Sequence, residues 1–72
     1  GITIAPNVFD DELNIQIEGP FIYRVIDSKG VLMVEGCANG EATLLTHQWS
    51  AGLYVVMIES EQGNSSQKVV KK

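Results

Sequence analysis

The chain has 72 residues and a mass of 7.9 kDa, with 5 Lys and Arg against 9 Asp and Glu, a net charge of −4. That length supports one small domain, and 44% hydrophobic with 19% charged residues is the make-up of a folded chain rather than a disordered tail. Only Arg24, Lys29, Lys68, Lys71 and Lys72 are cationic, which argues against nucleic acid as a partner, and the longest apolar run, Leu53 to Ile58, falls far short of the ~20 residues of a membrane helix.

No basic segment followed by an apolar run opens the sequence, so no signal peptide is expected at its start. Ile2–Ile4 reads as a first short strand. Leu13, Ile15 and Ile17 alternate with Asn14, Gln16 and Glu18, which predicts a strand with one wet face. Gly19-Pro20 is expected to break it. Phe21 to Asp27 resumes, with Phe21, Tyr23 and Val25 on one face and Ile22, Arg24 and Ile26 on the other. Ser28-Lys29-Gly30 predicts a tight turn closed by Gly30, which leads into a strand over Val31–Glu35.

Gly36 to Gly40 is polar and predicts a loop that holds Cys37. Ala42 to Thr46 reads as a short strand, and His47 to Gly52 as a corner. Leu53 to Glu59 is apolar on both faces, so it belongs in the middle of a sheet or against a partner. Ser60 to Ser65 is expected to be a loop marked by Gly63-Asn64. Gln67 to Lys71 is the last strand, whose lysines suit a protected edge. Seven short strands with turn residues between them predict an all-β fold, a small immunoglobulin-like antiparallel β-sandwich formed as a single domain over residues 1–72.

Reactive groups are few. Cys37 is the sole cysteine, so no intrachain disulfide and no Cys/His zinc site is available, and no basic neighbour activates it. His47 has no second titratable group at short range for acid–base work. No G-x-S-x-G elbow surrounds any serine. Asp10-Asp11-Glu12 lacks the spread of oxygen ligands that calcium requires and reads as a solvated turn. Trp49 and Tyr54 read as packing rather than as a sugar platform. No catalysis, metal or cofactor is expected.

Four segments together resemble the C-terminal sorting domain of the type IX (Por) secretion system. Ile4-Ala5-Pro6-Asn7 followed by Asp11-Glu12-Leu13-Asn14-Ile15 is similar to the family's opening. Tyr23 to Gly30, with Asp27 and Gly30 at fixed spacing, resembles its hairpin. Trp49-Ser50-Ala51-Gly52-Leu53-Tyr54 resembles its corner and following strand, and Gln67-Lys68-Val69-Val70-Lys71-Lys72 its closing segment. Val8 stands where a second proline is common, and Trp49 where leucine is usual.

The resemblance implies a secretion signal at the end of a larger secreted protein of Bacteroidetes-type bacteria. The partners it implies are an N-terminal cargo domain, an outer-membrane translocon, and a surface cysteine peptidase that removes the domain. The route it implies runs through the periplasm to the cell surface or medium. The residues it singles out are Pro6, Asn7, Asp11, Leu13, Asp27, Gly30, Gly52, Tyr54, Lys68, Val69, Val70, Lys71 and Lys72. Gly52-Leu53-Tyr54 and Lys68 to Lys72 are expected to carry most of the recognition, the final strand by adding to a partner's sheet. The competing reading is an accessory carbohydrate-binding or structural sandwich of a secreted enzyme, which requires Trp49 or Tyr23 as an exposed platform.

Overall fold

A computed structural model describes the whole chain, Gly1–Lys72. It contains six strands and no helix: β1 (Ile2–Ala5), β2 (Val8–Phe9), β3 (Glu12–Asp27), β4 (Leu32–Leu45), β5 (Gly52–Ser60) and β6 (Gly63–Lys71). The strands run in the order β1-β3-β5-β6-β2, with β4 on the other side of β3. Neighbours are antiparallel except β2 and β6, which are parallel.

The frame is one long β3/β4 hairpin folded across its middle. β4 follows β3 from Glu12↔Leu45 to Ile26↔Leu32. The opposite edge of β3 changes partner along its length, with β1 paired to residues 14–17 and β5 to residues 21–27. At the changeover the register slips between Gln16 and Pro20, where three residues of β3 stand opposite Gly40 alone. Gly19 (φ 86°) and Gly40 (φ 87°) face this bend in left-handed conformations.

Two layers result, and they close on a sandwich-like core. Ile4, Leu13, Ile15, Ile17 and Leu44 line the first layer, and Phe21, Val25, Tyr54, Val56, Ile58 and Val69 the second. The layers are also stitched at their margins, where Gln67 Nε2 donates to the Ile4 carbonyl at 3.2 Å and Gln62 Nε2 to that of Glu18 at 3.3 Å.

The bend predicts a specific cost. A Cβ at residue 40 meets nothing within 4 Å, so only the backbone resists it. Gly40→Ala is therefore expected to lose about 1–2 kcal/mol, the usual penalty of a left-handed L-residue. Urea unfolding measures it, and an unchanged midpoint would show that the bend does not need the glycine.

Several local expectations are corrected. Gly19-Pro20 bends β3 without ending it, because β4 continues to pair on the far side. Gly36–Gly40 is part of β4 rather than a loop, since Tyr23↔Gly36 and Ile22↔Cys37 keep it in the ladder. Gly36 has a packing reason as well: a Cβ there would lie 2.5 Å from the Tyr23 hydroxyl, so the missing side chain makes room for the ring. Glu61-Gln62 alone turns β5 into β6, with the Ser60 hydroxyl accepting from Gln62 N and donating to the Gly63 carbonyl, both at 3.1 Å. The seven predicted segments thus contain two pairs that merge. The short β2 is the strand that periodicity does not find.

Candidate recognition surface

The four motif segments, far apart in sequence, converge at one end of the sandwich. The Asp27–Gly30 turn is built as its residues predict. Asp27 Oδ1 accepts from Lys29 N and Val31 N, each at 2.9 Å, and Gly30 N donates to the Asp27 carbonyl at 3.0 Å with φ 84°. Asp27 lies beside Tyr54 on β5, and Tyr54 beside Val69 on β6. The corner before β5 is held by the Tyr54 hydroxyl, which donates to the Ser50 carbonyl at 2.6 Å, while the ring packs 5.1 Å from Trp49. Gly52 enters β5 with φ 144° opposite Lys71.

Residues 7–11 form a strap across this end. The Asn7 carbonyl accepts from Val70 N at 2.8 Å, and the Phe9 carbonyl from Lys72 N at 2.9 Å. Asn7 Oδ1 accepts from Gln67 Nε2. Phe9 is buried, edge-on to Trp49 and Tyr54 with ring centres 6.0 and 6.1 Å away. Asp10 and Asp11 offer their carbonyls to Thr46, through its hydroxyl at 2.9 Å and its amide at 2.8 Å. The acidic run is therefore more than a solvated turn: its backbone is tied to the corner, and one of its carboxylates is tied to β6.

That carboxylate is Asp10, whose Oδ1 accepts from Lys71 Nζ at 2.8 Å. The Lys71 side chain is 5% exposed and that of Asp10 63%, so the lysine stem runs through the interior and its head surfaces at the strap. The hydrogen bond from Lys71, then its charge, holds the Asp10 carboxyl below the 3.8 of a free aspartate. A group with a lower pKa folded than unfolded contributes stability above the unfolded value, which is lost as pH falls through the folded one. The strap is accordingly expected to weaken only below about pH 3.8. Melting temperatures across the acid range, compared with Asp10→Asn, test this; identical curves would rule the pair out as a pH-sensitive tie.

The final strand is not an edge at its close, which corrects the sequence expectation. β2 occupies the outer side of Val70 and Lys71, so these residues are not free to extend a partner's sheet. Alternation divides the segment instead. Val69 and Lys71 point inward, whereas Lys68, Val70 and Lys72 are exposed. Val70 (43% exposed) lies between Leu53 (40%) on β5 and Val8 (52%) on β2, an apolar row across three strands. Lys68 and Lys72 flank it on β6 and just beyond.

The predicted site residues therefore fall into classes. Pro6, Asn7 and Asp11 belong to the strap and its approach, Asp27 and Gly30 to the turn, and Gly52, Tyr54, Val69 and Lys71 to the frame beneath the row. Leu13 is fully buried in the other layer and packs only in the core. Val8, Phe9, Asp10 and Gln67 were not among the residues singled out for the site, although Val8, Asp10 and Gln67 lie in or beside the motif segments; the one available signal for a structural role was Gln67 and Lys71 in phase with buried Val69.

His47 and Cys37 are exposed, and no three metal-ligating side chains come together. Trp49 is half-buried against Phe9 and Tyr54, and Tyr23 lies over Gly36 against the core, so neither offers a sugar platform. No helix is long and apolar enough to cross a membrane. The chain is thus a small all-β module with its closing strand held under a strap and one apolar row exposed beside it. The chain belongs to the secretion system C-terminal sorting domain family, whose model matches residues 3–72. It is the sorting signal of type IX secretion, which marks the protein carrying it for export to the cell surface or medium, and such domains are not catalytic. No curated protein matches the chain.

Proposed function

We propose that residues 1–72 fold as one unit and that the surface read during sorting is the Val8–Leu53–Val70 row with Lys68 and Lys72. The observation that supports this most is the placement of the row. Three apolar side chains stand side by side at the end where all four motif segments meet, and the strap orders them. Gly52, Tyr54, Val69 and Lys71 serve by holding the row, and Pro6, Asn7, Asp11, Asp27 and Gly30 by shaping the segments around it. The reader is the outer-membrane type IX translocon, met after the precursor reaches the periplasm with its N-terminal cargo domain. The surface cysteine peptidase of the system then removes the domain.

Removing residues 68–72 alone cannot separate recognition from folding, because it takes away buried Val69 and Lys71 together with the exposed lysines. The decisive test fuses a periplasm-directed fluorescent reporter to residues 1–72, in a bacterium with this secretion system, with Leu53→Asp or with Lys68→Glu and Lys72→Glu together. Exposed substitutions of this kind typically move stability by no more than ~0.5 kcal/mol. Reporter retained in the periplasm with an unchanged melting temperature is expected. Export equal to that of the unsubstituted domain would overturn the assignment of this row.

A further inference from the structure

The outside of the bend carries a reactive pair that the recognition surface does not use. The chain has four asparagines, Asn7, Asn14, Asn39 and Asn64. An asparagine amide is lost when the backbone nitrogen of the next residue attacks the side-chain carbonyl carbon and closes a cyclic imide. A side chain on that next residue hinders the approach, a β-branched one most of all, whereas glycine leaves it open. Hydrogen bonds that hold the amide in place also oppose it. Two of the four are protected on both counts. Asn7 precedes Val8, and its Oδ1 accepts from Gln67 Nε2. Asn14 precedes Ile15, and its Nδ2 donates to Glu41 Oε2 at 2.9 Å and to Thr43 Oγ1 at 3.0 Å.

Asn64 is exposed, but it precedes Ser65 and sits in the unbroken β5–β6 register opposite Glu59. Asn39 has neither protection: it is exposed, its side chain is unbonded, and Gly40 follows it. The backbone there is loosely held as well. Asn39 stands opposite Pro20, which has no N–H to donate, and no strand lies on the other side of β4. The Asn39 carbonyl therefore has no ladder donor on either side. Gly40 has φ 87° and no partner of its own, because the register passes from Pro20↔Asn39 straight to Gln16↔Glu41. The peptide that joins the two residues can turn without breaking a ladder pair at its carbonyl.

We infer that Asn39–Gly40 is a self-modification site of the folded domain, at which the asparagine amide converts to aspartate and isoaspartate. Gly40 N attacks Asn39 Cγ. The N–Cγ bond forms, the Cγ–Nδ2 bond breaks, and ammonia leaves with the Gly40 amide proton. Water then opens the imide. Its attack at the side-chain carbonyl gives aspartate, and its attack at the main-chain carbonyl gives isoaspartate, in which the chain runs on through the side-chain methylene. Either product adds a negative charge to a chain of net charge −4, in a groove that Glu59 and Glu61 also line. Isoaspartate also lengthens the main chain at the bend, where the two layers join.

Incubating the purified 72-residue chain at mildly alkaline pH, with peptide mass spectrometry and an isoaspartate assay at intervals, tests this without any secretion component. Its failure would leave the sorting surface standing. Conversion at Asn39 is expected to run at least about tenfold faster than at any other asparagine. A parallel sample in urea gives the rate of the unfolded chain, and the folded rate at Asn39 is expected to lie within about tenfold of it. Asn39→Gln, whose longer side chain closes a larger ring more slowly, should keep its melting temperature and lose the acidic form that ion exchange separates. A smaller margin over the other asparagines, a folded rate further below the unfolded one, or an acidic form that persists in Asn39→Gln would each overturn the inference.

Discussion

Phe9→Ala is expected to cost about 3–5 kcal/mol, the range for emptying a buried phenylalanine site. Phe9 is 1% exposed and lies edge-on to both Trp49 and Tyr54, yet its strand is only two residues long. Its ring therefore anchors the strap far more than the two ladder positions of β2 do. Small domains hold folding free energies near the lower end of 5–15 kcal/mol, so the loss takes up most of what is available. Urea unfolding followed by circular dichroism should show a folded baseline that is shortened or absent, and the same substitution should abolish export. A fall below ~1 kcal/mol would show that the strap is held by its backbone bonds instead.

Neighbouring valines in β6 should give opposite phenotypes. Val69 is fully buried between Tyr54 and the core, so Val69→Asp puts a carboxylate where nothing pairs with it, at a cost of several kcal/mol. Cooperative unfolding should vanish. Val70 points the other way, and its backbone bond to the Asn7 carbonyl does not depend on its side chain. Val70→Asp should therefore leave the melting temperature almost unchanged while export is lost. Thermal melts of the two purified chains, beside reporter localisation in cells, give a two-by-two comparison. Equal destabilisation by both would mean that the row is structural rather than displayed.

The half-buried strands were legible because their chemistry is local. Leu13, Ile15 and Ile17 alternate with polar residues, and all three face the core; Phe21, Tyr23 and Val25 do the same. The Asp27–Gly30 turn was legible for the same reason, since a side-chain acceptor and a permissive glycine act within five residues. The extent of β3 and β4 was not. Gly19-Pro20 and Gly36–Gly40 carry the residues that ordinarily end a strand, and a partner contributed from elsewhere in the chain overrules them. Val8-Phe9 is too short to show a period and is a strand only because β6 lies beside it. Lys71 illustrates a subtler limit. Alternation from Val69 places it inside, but a lysine is read as surface until Asp10 is known to meet its ammonium group.

The parallel pairing of Val8 with Val70 has a consequence in time. A chain is made from its N-terminal side at about 5–20 residues per second, and folded units form as their parts emerge. Val8 and Phe9 are made early and wait without a partner, while the bent hairpin can already close behind them. The strap has nothing to lie on until residues 70 and 71 exist. A precursor whose synthesis stops short of them carries Leu53 and Val8 but never the row. The last-made strand of the domain is thus what joins Val8 and Leu53 into a row, and the strap docks only once it is in place.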